Sequence, residues 1–127
     1  MSENGEMSAS KEVIDLQHLA RYTLGEPQLN CEILGLFAQQ SEACLSRLKE
    51  TATESVWREA AHSLKGAASG VGAFRVAHAA EAAFACVGHQ FAADRLNILD
   101  ELAAAVIEAQ VFIAAYVPEN ERKTKSA

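Results

Sequence analysis

The chain has 127 residues, with 11 Lys and Arg against 17 Asp and Glu, a formal net charge of −6 and a pI near 5.2. That length suits one domain with one hydrophobic core, and a composition that is 50% hydrophobic and 22% charged excludes a wholly disordered chain. The acidic balance argues against a nucleic-acid partner, which recruits a basic face, and no run approaches the roughly 18 apolar residues of a membrane span.

Residues 1–11 are polar and read as a flexible N-terminal tail without the basic start and apolar run of a signal peptide. About one residue in five is Ala, the best helix former and a poor strand former. The first helix spans about 13–24, with Val13, Leu16, Leu19, Ala20 and Leu24 at helical spacing and Gly25 to end it. The second starts near Pro27, a good first-turn residue, and runs to about Glu50 on a stripe of Leu29, Ile33, Leu36, Phe37, Cys44, Leu45 and Leu48. The third, from about Glu54 to Gly70, has Thr53 or Thr51 as its cap, with Gly70 and Gly72 breaking it. The fourth runs from about Phe74 to Val87, with Val76, Ala79, Ala80, Ala83 and Val87 facing inward and Gly88 ending it. The fifth, about Ala93 to Tyr116, carries Leu96, Leu99, Leu102, Val106, Ala109 and Ile113 until Pro118 stops it.

No strand-like alternation interrupts this pattern. Long amphipathic helices with short connections predict an all-α fold, an antiparallel up-down-up-down four-helix bundle with a short extra N-terminal helix. The domain is expected over residues 12–117, with a flexible C-terminal tail over 118–127. Cys31, Cys44 and Cys86 form neither a disulfide framework nor a zinc site, and read as small apolar residues. A reducing cytoplasm is the expected compartment.

The pointed chemistry lies on the third helix. At about 100° per residue, Trp57, Ala60, Ala61, Ala67, Ala68 and Val71 fall within about 60° of Leu64 and make the buried stripe. His62 lies about 160° from Leu64, on the outer face with Ser55, Arg58, Glu59, Gly66 and Ser69, and Lys65 sits at its edge. A glycine inside a helix costs about 1 kcal/mol relative to Ala. Gly66, one turn after His62, has a steric rationale: it leaves space beside the imidazole for a partner. Lys65 neighbours His62 on the helix surface, where an ammonium would counter negative charge attached to the ring. The plainer reading is a surface His beside a surface Lys. His18 reads as a surface or boundary residue, His78 has no surrounding catalytic pattern, and Cys86 with His89 makes only half a metal site.

The stretch Ala61-His62-Ser63-Leu64-Lys65-Gly66-Ala67-Ala68-Ser69-Gly70-Val71-Gly72-Ala73 resembles the signature of histidine-containing phosphotransfer (HPt) domains, H-x-L-K-G-small-small-x-x-apolar-G-A. The likeness extends to Asp15-Leu16, to Gly25-Glu26-Pro27 with the helix through Phe37, and to Trp57-Arg58-Glu59-Ala60-Ala61, covering roughly residues 13–115. The resemblance implies a four-helix bundle. It also implies a phosphorelay carrier that accepts a phosphoryl group on His62 from a phospho-aspartate receiver domain and passes it to another. Lys65 would stabilise charge and Gly66 give access. At position 84, where many members present Gln or Glu to the imidazole, this chain departs from the pattern with Phe84.

The chain has no G-x-x-x-x-G-K-[ST] loop for ATP, and Gly70-x-Gly72 lacks the strand and third glycine of a nucleotide fingerprint. It therefore reads as a phosphocarrier without autonomous ATP-dependent activity and without its own cofactor. The Mg²⁺ and the aspartate are expected from the receiver. The expected partners are response-regulator receivers and a hybrid histidine kinase, meeting a monomer at Arg58, Glu59, Ser63, Lys65, Gly66 and Ser69. Two rivals remain. One is a non-catalytic helical adaptor that binds response regulators. The other is a dimeric histidine-kinase-like phosphotransferase, which would show Glu or Asp directly after the histidine, where this chain has Ser63.

Overall fold

The computed structural model describes residues 13–126, with side chains for residues 13–120. The expected N-terminal tail lies outside the described residues. Five helices follow one another: α1 (Leu16–Thr23), α2 (Pro27–Glu50), α3 (Glu54–Val71), α4 (Phe74–Phe84) and α5 (His89–Ser126). No strand occurs among the described residues.

Local chemistry sets the ends of these helices. The Asp15 side chain accepts the His18 N–H at 3.1 Å and caps α1. Leu24 closes α1 in the left-handed region at φ 56°, and its side chain points into solvent, 92% exposed. Pro27 opens α2, where its missing N–H has no helical partner to lose. Thr53 holds the N-cap position of α3, but its side chain makes no capping hydrogen bond; its N–H donates to Thr51 Oγ1 at 3.0 Å. Gly72 ends α3 at φ 84°, and the Ala73 N–H reaches back to the Ala68 carbonyl at 2.9 Å, the paired bonding of a Schellman turn. Gly70 is tolerated inside the last turn of α3 rather than breaking it.

The four longer helices pack as a bundle, α2 against α3, α3 against α4, α4 against α5 and α5 against α2, while α1 lies on α2 and α3. Leu34, Phe37 and Leu48 of α2, Trp57 and Leu64 of α3, Val76 of α4, and Leu102 and Val106 of α5 are buried in one core. Each such side chain contributes about 1.5–3 kcal/mol relative to an exposed one. Where α3 meets α4 many of the buried residues are small: Ala60, Ala61 and Ala68 on α3, and Ala77, Ala80 and Ala83 on α4. Small side chains let the two helices approach closely, and Trp57 Nε1–H donates across the gap to the Ala83 carbonyl at 2.6 Å.

Several elements differ from their sequence expectations. Leu36, Leu96 and Val87 are exposed rather than buried. Leu36 sits about 160° around the helix from Leu34, and Leu96 about 120° from Leu102, so neither can share the inward stripe. Val87 lies beyond α4, which ends at Phe84, where Cys86 N–H bonds the Ala83 carbonyl at 3.1 Å and tightens the turn. Pro118 does not stop the last helix: α5 begins at His89 and runs through Pro118 to Ser126. The expected tail from residue 118 is thus helical through 126. Three contacts hold the chain around the proline. Asn30 Nδ2 donates to Tyr116 Oη at 3.0 Å, Cys31 Sγ donates to the Val117 carbonyl at 3.7 Å, and Asn120 Nδ2 donates to the Tyr116 carbonyl at 2.9 Å. No helix among the described residues is long and apolar enough to cross a membrane.

Candidate functional site

Trp57, Ala60, Ala61, Leu64, Ala68 and Val71 are the buried residues of α3, as the angular arithmetic requires. Ala67, at the stripe's margin, is half-buried. His62 is exposed on the opposite side. A Cβ built on Gly66 would meet nothing within 4 Å, so the surface one turn beyond the imidazole is open.

The outer face of α3 has two flanks. Arg58, His62 and Lys65 contact α4. Lys65 Nζ lies 3.8 Å from a carboxylate oxygen of Glu81, both side chains being largely exposed. Arg58 places its guanidinium carbon 4.2 Å from the centroid of the Phe84 ring, and its Nε–H donates to the Phe84 carbonyl at 3.3 Å. The His62 and Phe84 ring centroids are 5.6 Å apart with their planes tilted by 44°. The residue at position 84 is therefore a neighbour of the imidazole, but it offers a ring rather than a hydrogen-bonding group.

The other flank runs toward α2. Glu59 pairs with Arg47 of α2 at 3.1 Å. Gly66 and Gly70 leave it low, and next to it is a shallow, mostly apolar groove lined by Leu19, Tyr22, Ile33, Gly70 and Val71. Tyr22 is largely exposed, as is Leu36, one turn beyond Ile33 on α2. Ser63 and Ser69 are half-buried on the two flanks and complete the set of outer residues.

The structure thus assembles His62, Lys65, Gly66 and Arg58 around one exposed spot. It also engages three of the expected interface residues within the fold: Arg58 and Lys65 with α4, and Glu59 with α2. Glu81 and Phe84 join the site from α4, while Tyr22 and Ile33 line the groove beside Gly70. Periodicity along α3 carried no signal for Tyr22, Ile33 or Glu81, because the register between helices is set by core packing.

The remaining titratable candidates lie apart. His18 packs edge-on against Phe74 and Tyr22, with centroids 5.2 and 5.9 Å away. Cys86 is buried, and its Sγ–H donates to the Gln90 carbonyl at 3.2 Å rather than meeting His89. Burial pushes the Cys86 thiol above its ordinary range, and the carboxylates of Asp94 and Glu54 push it further. Burial also raises Cys44, against the opposing charge of Arg47. Among the described residues, no three His, Cys, Asp or Glu are grouped to hold a metal. Comparison of the chain with family models, with curated proteins and with solved structures found no match.

Proposed function

We propose that the chain is a phosphoryl carrier of the histidine-containing phosphotransfer type, working through His62. The observation that carries the reading is the conjunction at one spot: an exposed imidazole, open space over Gly66, and a lysine on the same helix. That conjunction lies inside a stretch matching every specified position of the HPt signature. The finer topology proposed with it is the antiparallel up-down-up-down bundle, with α1 as the extra helix.

The chemistry asks little of this chain. An unprotonated ring nitrogen of His62 attacks the phosphorus of a receiver's aspartyl phosphate in line. The P–O bond to the carboxylate breaks, a P–N bond forms, and the ring's N–H proton leaves to solvent. The reverse step delivers the group to a second receiver. Such transfers depend on positioning and on neutralising charge more than on covalent participation by the protein. Lys65 supplies a cation one turn from the ring, and the phosphoryl group would compete with Glu81 for it. The receiver brings the aspartate and its Mg²⁺. The groove of Tyr22, Ile33, Gly70 and Val71 suits an apolar patch on that receiver. A monomer in the cytoplasm, fed by a hybrid histidine kinase, is the matching setting.

The test is transfer from a panel of phosphorylated receiver domains to the wild type and to His62→Gln. An acid-labile, base-stable label on the wild type, absent from the variant, is expected. No label from any receiver, with the helical content intact by circular dichroism, would favour the non-catalytic adaptor. Light scattering during size-exclusion chromatography separates the monomer from the dimeric phosphotransferase.

A further inference from the structure

We infer that Phe84 is a positioning residue for His62, holding the imidazole by ring packing and aiming it across Gly66, with Arg58 as the brace that holds Phe84. The inference rests on the phosphotransfer reading and adds how this chain orients its nucleophile without a hydrogen-bonding side chain at position 84.

The argument starts from the end of α4. Phe84 is its last residue, and the final carbonyls of a helix have no partner within it. Two consecutive residues of α3 supply partners. Trp57 Nε1–H bonds the Ala83 carbonyl at 2.6 Å, and Arg58 Nε–H bonds the Phe84 carbonyl at 3.3 Å. Trp57 is itself fully buried, so the peptide between Ala83 and Phe84 is tied to the core. The Arg58 guanidinium then covers the Phe84 ring, 4.2 Å from its centroid, a cation–π contact that restrains the ring. His62, one turn after Arg58 on α3, meets the same ring. Arg58, Phe84 and His62 form a chain of contacts in which only the last member is free to react.

The direction of approach follows. Phe84 and the Lys65–Glu81 pair occupy the α4 side of the imidazole. The opposite side, over Gly66 and toward the groove at Gly70, is open. An exposed histidine with no neighbour samples several rotamers. One flanked by a braced ring on a single side is biased toward the open side, and productive alignment is worth a large factor in rate. The contact also leaves both ring nitrogens without a side-chain hydrogen-bond acceptor from α4, so orientation here rests on shape rather than on tautomer.

The experiment needs no cognate partner. Potassium phosphoramidate is the donor: its P–N bond breaks, ammonia leaves, the unprotonated nitrogen of His62 takes the phosphoryl group, and the ring proton goes to solvent. Rates and ³¹P spectra are compared for the wild type, Phe84→Tyr, Phe84→Leu, Phe84→Ala and His62→Gln, with the His62 Cδ2–H and Cε1–H shifts recorded before phosphorylation. The expected result is one phosphohistidine isomer in the wild type and in Phe84→Tyr. Phe84→Ala should label at least about tenfold more slowly, give both isomers, and move the His62 shifts toward those of a free histidine. Phe84→Leu, which keeps the bulk at the helix end, guards against loss of fold and should lose the ring-current shift while staying folded. If Phe84→Ala labels at the wild-type rate, on the same nitrogen and with unchanged His62 shifts, the positioning role is overturned and the phosphotransfer reading stands. If the wild type takes no more label than His62→Gln, the phosphotransfer reading falls and this role falls with it.

Discussion

Gly66 and Gly72 stand on the same stretch of chain under opposite constraints. At Gly66 a Cβ would meet nothing within 4 Å, and the backbone is helical. At Gly72 a Cβ would stand 2.7 Å from the Asp15 carbonyl oxygen, and φ is 84°. The Asp15 N–H also donates to the Gly72 carbonyl at 3.0 Å, so the segment leading into α1 is sewn to the end of α3 at a point only glycine can occupy. Gly72 thus serves the fold. Gly66 serves nothing in the fold, since Ala would be the better helix residue there. On the proposed phosphotransfer reading, Gly66 leaves room for a partner beside His62, although Gly35 and Gly70 are equally open to an added Cβ. The contrast extends to their surroundings: the side of α3 bearing Trp57 and Leu64 is closed and built by packing, whereas the side bearing His62 is open and held by a few polar and ring contacts.

Substitutions on the two sides should separate stability from function. The largest effect is expected at Trp57→Ala, which removes a fully buried ring and leaves the Ala83 carbonyl without its indole donor. A loss of about 3–5 kcal/mol in denaturant unfolding is expected; a loss below about 1 kcal/mol would mean the α3–α4 contact is not closed. Gly72→Ala comes next, at about 2 kcal/mol or more from the left-handed backbone and the clash with Asp15. Thermal melting checks it, and a stability equal to the wild type would break the contrast between the two glycines.

Gly66 should behave in the reverse way. Gly66→Gln is expected to stay folded, within about 1.5 kcal/mol of the wild type, while transfer from a phosphorylated receiver slows by blocked approach. Unchanged transfer would remove the access argument. Lys65→Ala should alter stability by less than about 0.5 kcal/mol, since its pairing with Glu81 is exposed, yet lower the transfer rate or the phosphohistidine lifetime. Glu81→Gln, which frees the lysine, should move the lifetime the other way. If neither substitution changes rate or lifetime, Lys65 is an ordinary surface residue.

The smallest effect concerns the closed side and pH. The Cys44 and Cys86 thiols are raised in the folded state, so an unfolded chain ionises them first as pH rises. Their contribution to stability is then complete below the ordinary thiol range and is lost as pH climbs above it. A modest fall in melting temperature on the alkaline side, reduced in Cys86→Ala, is the expected outcome. A melting temperature that rises over that interval would contradict the sign.

The helical class, the order of the five helices and the inward stripe of α3 could all be read from residue spacing, because each depends on one helix's own 3.6-residue period. His62, Lys65 and Gly66 were legible for the same reason, all lying on α3. Pro118 was misleading. A proline removes one N–H and crowds the preceding turn, but Asn30, Cys31 and Asn120 hold that turn in place, and two of those contacts come from α2, far away in sequence. Leu36 and Leu96 are exposed because hydrophobicity alone does not place a residue on the inward side of its helix, and Val87 because α4 ends three residues before it.

What the sequence determined by itself is local: helix-forming composition, the glycine and proline breaks between helices, and an outward histidine with a lysine and a glycine one turn away. What only the tertiary structure decided is relational. The pairing of Lys65 with Glu81, of Glu59 with Arg47, and the packing of Phe84 between Arg58 and His62 each join two helices. Their register follows from how Trp57, the facing alanines and the rest of the core fill space, a property of many side chains packed at once that no single helix's periodicity carries.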